Sequence, residues 1–85
     1  MIASGRVQRV GYRQFLHERA LALGCAGWVR NRADGTVEAV IYGTAEAVEQ
    51  LLAAARRGPT HAHVEAVAIA PAEGIYAQFE IRPTA

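Results

Sequence analysis

Hydrophobic residues recur every three or four positions in two segments of the chain, a spacing that predicts one buried face of an α-helix. In the first segment, residues 12–23, the apolar positions are Tyr12, Phe15, Leu16, Ala20 and Leu23. Gly24 follows at once, and glycine is common just beyond the C-terminal end of a helix. The pattern therefore predicts a first helix over residues 12–23.

The second segment, residues 45–57, has a narrower apolar stripe, formed by Val48, Leu51, Leu52 and Ala55. Thr44 is a suitable N-cap, because its hydroxyl can accept from a free N–H of the first turn. Gly58-Pro59 cannot continue a helix. These signals predict a second helix over residues 45–57.

Other stretches of the chain are rich in β-branched residues or alternate in polarity, and they predict strands at residues 25–31, 36–42, 64–70 and 77–83. Asp34-Gly35 separates the first two of these and is a strong hairpin signal. Residues 1–4 can supply at most a short stub of strand. The predicted order is β-α-β-β-α-β with a short extra C-terminal strand.

Two helices in this order pack best on one face of a mixed, mainly antiparallel sheet. The pattern therefore predicts an α+β fold, a ferredoxin-like βαββαβ sandwich. The sequence has 85 residues and shows no repeat or linker. We expect residues 1–85 to form a single domain with one core of modest size.

Composition narrows the classes of function. The formal net charge is +1, which gives no support to broad nucleic-acid binding. No apolar run approaches the ~20 residues of a membrane span, so we expect a soluble protein without a membrane partner. Cys25 is the only cysteine, which excludes an internal disulfide and fits a reducing, cytoplasmic location.

The stretch SGRVQRVGYR, residues 4–13, carries the candidate chemistry. It predicts a glycine-bounded loop that runs into the first helix, where backbone N–H groups at the positive end of the helix dipole favour an anion. Arg13 falls in the first turn, and its forked guanidinium can bind two phosphate oxygens at once. The spacing matches neither the P-loop nor the dinucleotide-binding pattern. We expect a site for a phosphate-like anion.

The stretches GRVQRVGYR, LGCAGWVRN and DGTVEAVIYG together resemble the acylphosphatase family over nearly the whole chain. The signature of that family runs roughly G-x-V-Q-G-V-x-[FY]-R, then G-W-V-x-N, then D-G-x-V-E. The resemblance implies the same ferredoxin-like fold. It also implies hydrolysis of acyl phosphates to carboxylate and inorganic phosphate, with no metal and no organic cofactor.

By this resemblance, Arg13 would bind the phosphate and Asn31 would position the attacking water. The backbone of the loop would cradle the phosphate, through Val7, Gln8, Arg9, Val10, Gly11 and Tyr12. Inorganic phosphate or sulfate would be the anion found there, and we expect a monomer.

Two departures from the signature bear on these expectations. Arg9 stands where the signature has glycine, and if this position requires a positive φ, the side chain costs about 1 kcal/mol or more. We expect an altered loop that still works. The first strand is also shortened relative to the family, with only Met1 to Ala3 before the motif, so a central strand of the sheet would be clipped.

Other interpretations stay open at this point. The same scaffold could be a phosphate- or anion-binding module without turnover, or, less well supported, an RNA-binding sheet. Gln8 could orient loop amides or face solvent. Trp28 is expected in the core. Cys25 is expected as a small buried hydrophobic residue, and the three histidines, His17, His61 and His63, at the surface without a metal.

Overall fold

The computed structural model describes residues 1–85 and confirms the ferredoxin-like α+β fold. Its elements, in chain order, are β1 (Ile2–Arg6), α1 (Tyr12–Leu23), β2 (Ala26–Asn31), β3 (Val37–Tyr42), α2 (Ala45–Arg57), β4 (His63–Ala68) and β5 (Phe79–Ile81). The five strands form one sheet in the order β4-β1-β3-β2-β5. All neighbours are antiparallel except β2 and β5, so the predicted mixed, mainly antiparallel sheet is confirmed.

The strand β1 lies in the interior of the sheet, but it pairs with its two neighbours over different lengths. It pairs with β4 from Ile2 to Arg6, with a register shift between Ser4 and Gly5, whereas it pairs with β3 only at Ile2 and Ala3. The prediction of a stub ending at Ser4 was too short, because the strand continues into the glycine-bounded segment. Gly5 permits this, since a Cβ there would lie 2.3 Å from the His63 carbonyl oxygen.

Both helices pack on the same face of the sheet and enclose the hydrophobic core. The buried cluster comprises Ala3, Val7, Tyr12, Leu16, Ala20, Cys25, Val29, Val37, Ala39, Leu51, Ala55 and Phe79. Cys25 is buried, as expected, and burial raises the pKa of its thiol. Neither helix has the length and hydrophobicity that crossing a bilayer requires.

Two aromatic side chains lie outside the main hydrophobic cluster, and one of them, Trp28, is buried as predicted. Trp28 is buried, but on the sheet face opposite the helices, where the guanidinium groups of Arg30 and Arg82 each stack 4.8 Å from its ring. The alternation of β2 explains this, because Val29 takes the helix-facing position next to it. His17 is half-buried rather than exposed, and its ring lies 6.2 Å from that of Phe79.

The last strand is shorter than the predicted residues 77–83. β5 pairs in parallel with β2 at the sheet edge, and the chain beyond it stays close: the Arg82 N–H donates to the Val29 carbonyl at 2.8 Å, and the Ala85 N–H to the Asn31 carbonyl at 3.0 Å. These bonds hold the C-terminal segment beside the end of β2. The start of α1 lies near the same corner of the sheet.

Candidate active site

A cavity of about 180 Å³ lies at this corner, between the loop that follows β1, the start of α1 and the ends of β2 and β5. Its volume is several times the ~30 Å³ that one water molecule occupies in the liquid. The lining residues are Val7, Arg9, Gly11, Tyr12, Arg13, Gln14, Asn31 and Ile81. The structure thus brings together the two separated motifs of the sequence.

The start of α1 is open toward this cavity. Gly11 occupies the N-cap position with φ 78°, no side chain accepts a bond from the first turn, and that turn contains no acidic residue. The first intrahelical bond runs from the Phe15 N–H to the Gly11 carbonyl at 2.9 Å. The N–H groups before Phe15 have no partner within the helix, so they are free for an anion.

Arg13 lies in this first turn and is half-buried. Its Nη1 donates a long hydrogen bond of 3.5 Å to the Arg82 carbonyl, which ties the guanidinium to the segment after β5. The ion pairs of the structure involve Arg30, Arg32 and Arg82. Arg13 therefore reaches the cavity without a carboxylate partner, and its charge remains available to a phosphate.

Asn31 ends β2 and lies on the helix-facing side of the sheet, opposite Val37 in the pairing with β3. Its backbone is fixed, because its carbonyl accepts from the Ala85 N–H. Its side chain lines the cavity, yet the Oδ1 atom is buried without a hydrogen-bond partner. A buried acceptor of this kind normally bonds to protein or water, and Asn31 Oδ1 and His17 Nδ1 are the two buried side-chain atoms that lack such a bond.

Gln8 does not face solvent, and its side chain bonds to the neighbouring turn rather than to amides of its own loop. Its Nε2 donates to the Arg32 carbonyl at 2.8 Å and to the Thr36 carbonyl at 2.9 Å, so it ties the loop after β1 to the β2–β3 turn. The turn is itself fixed, because Asp34 Oδ1 accepts from the Thr36 hydroxyl and N–H. These bonds lower the pKa of the Asp34 carboxyl.

Arg9 is the one residue other than glycine with a positive φ, at 63°. The departure from the signature has therefore not driven this position out of the left-handed region, and the side chain carries a backbone cost of about 1 kcal/mol or more. Arg9 is exposed, it lines the cavity, and it forms no ion pair or side-chain hydrogen bond.

Tyr12 anchors the start of α1 to the second helix, α2. Its ring is 1% exposed, and its hydroxyl donates to the Ala55 carbonyl of α2 at 2.7 Å. Burial raises the pKa of the phenol above its ordinary value of 10.0, so it stays protonated at neutral pH. Tyr12 holds the first turn of α1 in place, and it has no charge to offer at the cavity wall.

Most of the residues expected at the site line the cavity, and two do not. Gln8 points to the β2–β3 turn, and Val10 packs against the core. The sequence reasoning missed Gln14, Ile81 and the Arg82 carbonyl. The position of Gln14 next to Arg13 in the first turn could have indicated it, whereas nothing local in the sequence brings β5 to this corner.

The comparisons with known proteins agree with this geometry. The sequence model of the acylphosphatase family matches residues 1–81. An acylphosphatase from Cupriavidus pinatubonensis is 50% identical over 84 residues, which cover 99% of this chain and 93% of that protein. One from Acidiphilium cryptum is 57% identical over 77 residues, which cover 86% of this chain and 85% of that protein.

Solved structures give the same result. The crystal structure of acylphosphatase from Bacillus subtilis matches with a TM-score of 0.91 at 32% identity, covering 95% of this chain and 92% of that chain. The structure of an acylphosphatase from Coxiella burnetii matches with a TM-score of 0.89, also at 32% identity, over 95% of this chain and 86% of that chain. The family match covers both motifs that meet at the cavity, and the chain belongs to the acylphosphatase family.

Proposed function

We propose that this protein hydrolyses acyl phosphates to carboxylate and inorganic phosphate in the cavity between the loop after β1 and the end of β2. The backbone N–H groups of residues 7–12 and the guanidinium of Arg13 hold the phosphoryl group. Asn31 positions the water that attacks it. Family membership supports the reaction, and the residues that line the cavity support these roles.

The observation that carries the proposal is that Arg13 and Asn31, which come from the two separated motifs, line the same cavity. The Asn31 carboxamide can hydrogen-bond a water molecule there and leave one lone pair of that water for phosphorus.

The reaction needs little else from the protein. The bond from phosphorus to the acyl oxygen breaks, its electron pair leaves on the carboxylate, and the water oxygen forms the new bond to phosphorus. A carboxylic acid has a pKa of about 4, so the carboxylate departs without a general acid. The water proton passes to a phosphate oxygen. Arg13 and the loop amides neutralise charge on the phosphoryl oxygens in the transition state.

The lining of the cavity agrees with a reaction that needs no acid or base from the protein. It contains no carboxyl, imidazole or thiol group, and the buried Tyr12 hydroxyl has a raised pKa. No side chain of the cavity therefore changes its charge across neutral pH. We expect the rate to show no bell-shaped dependence on pH that an acid and a base of the enzyme would produce.

The test is a hydrolysis assay with benzoyl phosphate in the presence of a chelator. We expect turnover, and we expect Arg13→Ala and Asn31→Ala each to lower kcat/KM by about 10²–10³-fold, the usual loss for a group that stabilises or positions the reacting atoms. Arg56→Ala is the matched control, since this arginine is exposed in the last turn of α2.

Binding of inorganic phosphate separates the two functions considered for the site. Competitive inhibition by phosphate together with turnover supports the hydrolase. Phosphate binding without any turnover would instead identify an anion-binding module. Equal activity in the wild type, Arg13→Ala and Asn31→Ala would contradict the roles of both residues.

The proposal also covers the oligomeric state of the protein, its location and the anion that it binds. Arg13 and Asn31 of one chain line the same cavity, so we expect a monomer to be active, and light scattering on the purified protein tests its size. The lone buried Cys25 suits a reducing compartment such as the cytoplasm. Phosphate or sulfate is the anion that we expect in a crystal of the protein, at the start of α1.

A further inference from the structure

The cavity contains a second guanidinium group besides that of Arg13. Arg9 and Arg13 both line it, and no carboxylate does. Arg13 and the free N–H groups at the start of α1 supply the donors that bind the phosphoryl oxygens. The charge of Arg9 takes no part in these bonds. None of the three ion pairs of the structure consumes it, and no hydrogen bond holds its guanidinium.

The two arginines lie at different depths. Arg13 is half-buried and its Nη1 is tied to the Arg82 carbonyl, and Asn31, with its buried Oδ1, is half-buried as well. Arg9 is exposed and untied. The phosphoryl group belongs with Arg13 and Asn31 at the inner end, so the acyl part of the substrate must extend toward the open mouth, where Arg9 lies.

The backbone conformation of Arg9 also supports different binding partners for its main chain and its side chain. With φ 63°, this residue stays in the left-handed region that a phosphate-cradling turn uses, so its N–H can remain part of the cradle. A phosphate-binding turn made of main-chain N–H groups does not involve the Arg9 side chain. The Arg9 guanidinium, on its long flexible stem, is thus free to bind a different group from the one that the loop holds.

We propose that Arg9 is a specificity-determining residue that favours acyl phosphates whose acyl part carries a second anionic group, such as a carboxylate. The proposal rests on the hydrolase function described above and names a substrate class within it. An exposed pair between a guanidinium and a carboxylate contributes modestly, up to roughly a five-fold preference. It also weakens as salt is added.

The experiment compares 3- and 4-carboxybenzoyl phosphate with 4-methylbenzoyl phosphate, which has a ring substituent of similar size but no charge. The readout is the ratio of kcat/KM for each carboxylated substrate to that for the methyl substrate. We expect the wild type to favour one carboxylated substrate by roughly three- to five-fold at low salt, with a smaller ratio at high salt.

Three substitutions of Arg9 separate the effect of its charge from the effect of its positive φ. Arg9→Lys keeps the charge, and we expect it to keep most of the preference. Arg9→Gln removes the charge but leaves a side chain at positive φ, whereas Arg9→Gly also relieves the backbone. We expect the ratio to fall to about one in both, even if their absolute rates differ.

The outcomes distinguish this inference from the proposed function. An unchanged ratio in Arg9→Gln, with hydrolysis intact, overturns the role of Arg9 and leaves the hydrolase. So does an equal loss of kcat/KM on all substrates together with weaker inhibition by phosphate, because Arg9 would then bind the transferred phosphoryl group. Failure of the wild type to hydrolyse any of the substrates overturns the hydrolase, and this inference with it.

Discussion

The two helices of this protein begin in opposite ways. α2 begins at Thr44, whose hydroxyl accepts from the Ala47 N–H at 3.1 Å, and Glu46 adds a negative charge to its first turn. α1 begins at Gly11 with no side-chain cap, and its first turn carries Arg13 instead of an acid. A helix start with positive charge added to its positive dipole end is unfavourable unless an anion binds there.

The difference shows how the chain divides stability from function. The local signals of α2 act on its own start, because Thr44 accepts from one free N–H group and Glu46 complements the helix dipole. α1 leaves the same groups open at the cavity and depends on tertiary contacts, among them the buried ring of Tyr12. We therefore expect the start of α1, and not that of α2, to bind a ligand.

The largest effect is expected from closing the open helix start with a charge. A Cβ at Gly11 would meet no atom within 4 Å, so a side chain fits there, and Asn and Asp tolerate a positive φ better than other residues do. Gly11→Asp places a carboxylate where the phosphoryl group should bind. Compared with Gly11→Asn, it should lower kcat/KM by at least about ten-fold, since like charges repel at close range.

The pair differs only in charge, so backbone strain cancels between the two variants. Steady-state kinetics with benzoyl phosphate measures the difference, and inhibition by phosphate should weaken in parallel. Equal kinetics for the Asn and Asp variants would mean that the start of α1 does not bind the anion.

The second prediction concerns the bond that joins the two helices, from the Tyr12 hydroxyl to the Ala55 carbonyl. Tyr12→Phe should lower the free energy of unfolding by about 1–2 kcal/mol, because a buried carbonyl loses its donor. Urea unfolding at pH 7 measures this loss. Tyr42→Phe, at an exposed tyrosine, is the matched control and should change stability little.

The same residue makes stability sensitive to alkali. The folded-state pKa of Tyr12 lies above its ordinary value of 10.0, so above that pH the unfolded chain loses a proton that the folded chain keeps. Stability should therefore fall as pH rises beyond about 10. Tyr12→Phe removes this contribution. Any fall that begins near pH 9 belongs to Cys25, whose thiol pKa burial also raises. An identical alkaline profile in the variant would contradict this account.

Sequence patterns predicted the fold well because its signals are local. The bounds of α2, its N-cap at Thr44 and the hairpin at Asp34-Gly35 all follow from nearest-neighbour chemistry, and the structure agrees with them. The errors arise where distant segments decide. Gly5 continues β1 because β4 approaches closely there, and β5 is short because it pairs only with β2 at the sheet edge.

The candidate site also has parts that could be predicted from the sequence and parts that could not. The expectation that Arg13 and Asn31 meet came from the family resemblance, and the structure does bring them to one cavity. The bonds of Gln8 to the β2–β3 turn could not be predicted, because they depend on where a loop and a turn lie in three dimensions. The side of the sheet that Trp28 occupies depends on strand register in a similar way.

The next prediction tests the start of α2, which Thr44 caps. Thr44→Ala removes the cap of α2 and should lower the free energy of unfolding by about 1 kcal/mol, which for a chain of this size lowers Tm by roughly 4–8 °C. Hydrolysis at 25 °C should not change, because Thr44 does not line the cavity. A loss of activity without a loss of stability would mean that the two helix starts are not functionally separate.

The smallest effects come from exchanging charge between the two first turns. Glu46→Gln removes the acid of α2 and should cost a few tenths of a kcal/mol with no change in kinetics. Gln14→Glu gives α1 such an acid at the cavity, and it should raise KM about two- to three-fold at low salt and less at high salt. Its stability gain from the dipole is offset by Glu18, one turn further along, which now accepts a bond from Gln14. If both substitutions changed only stability, the first turn of α1 would be an ordinary helix start.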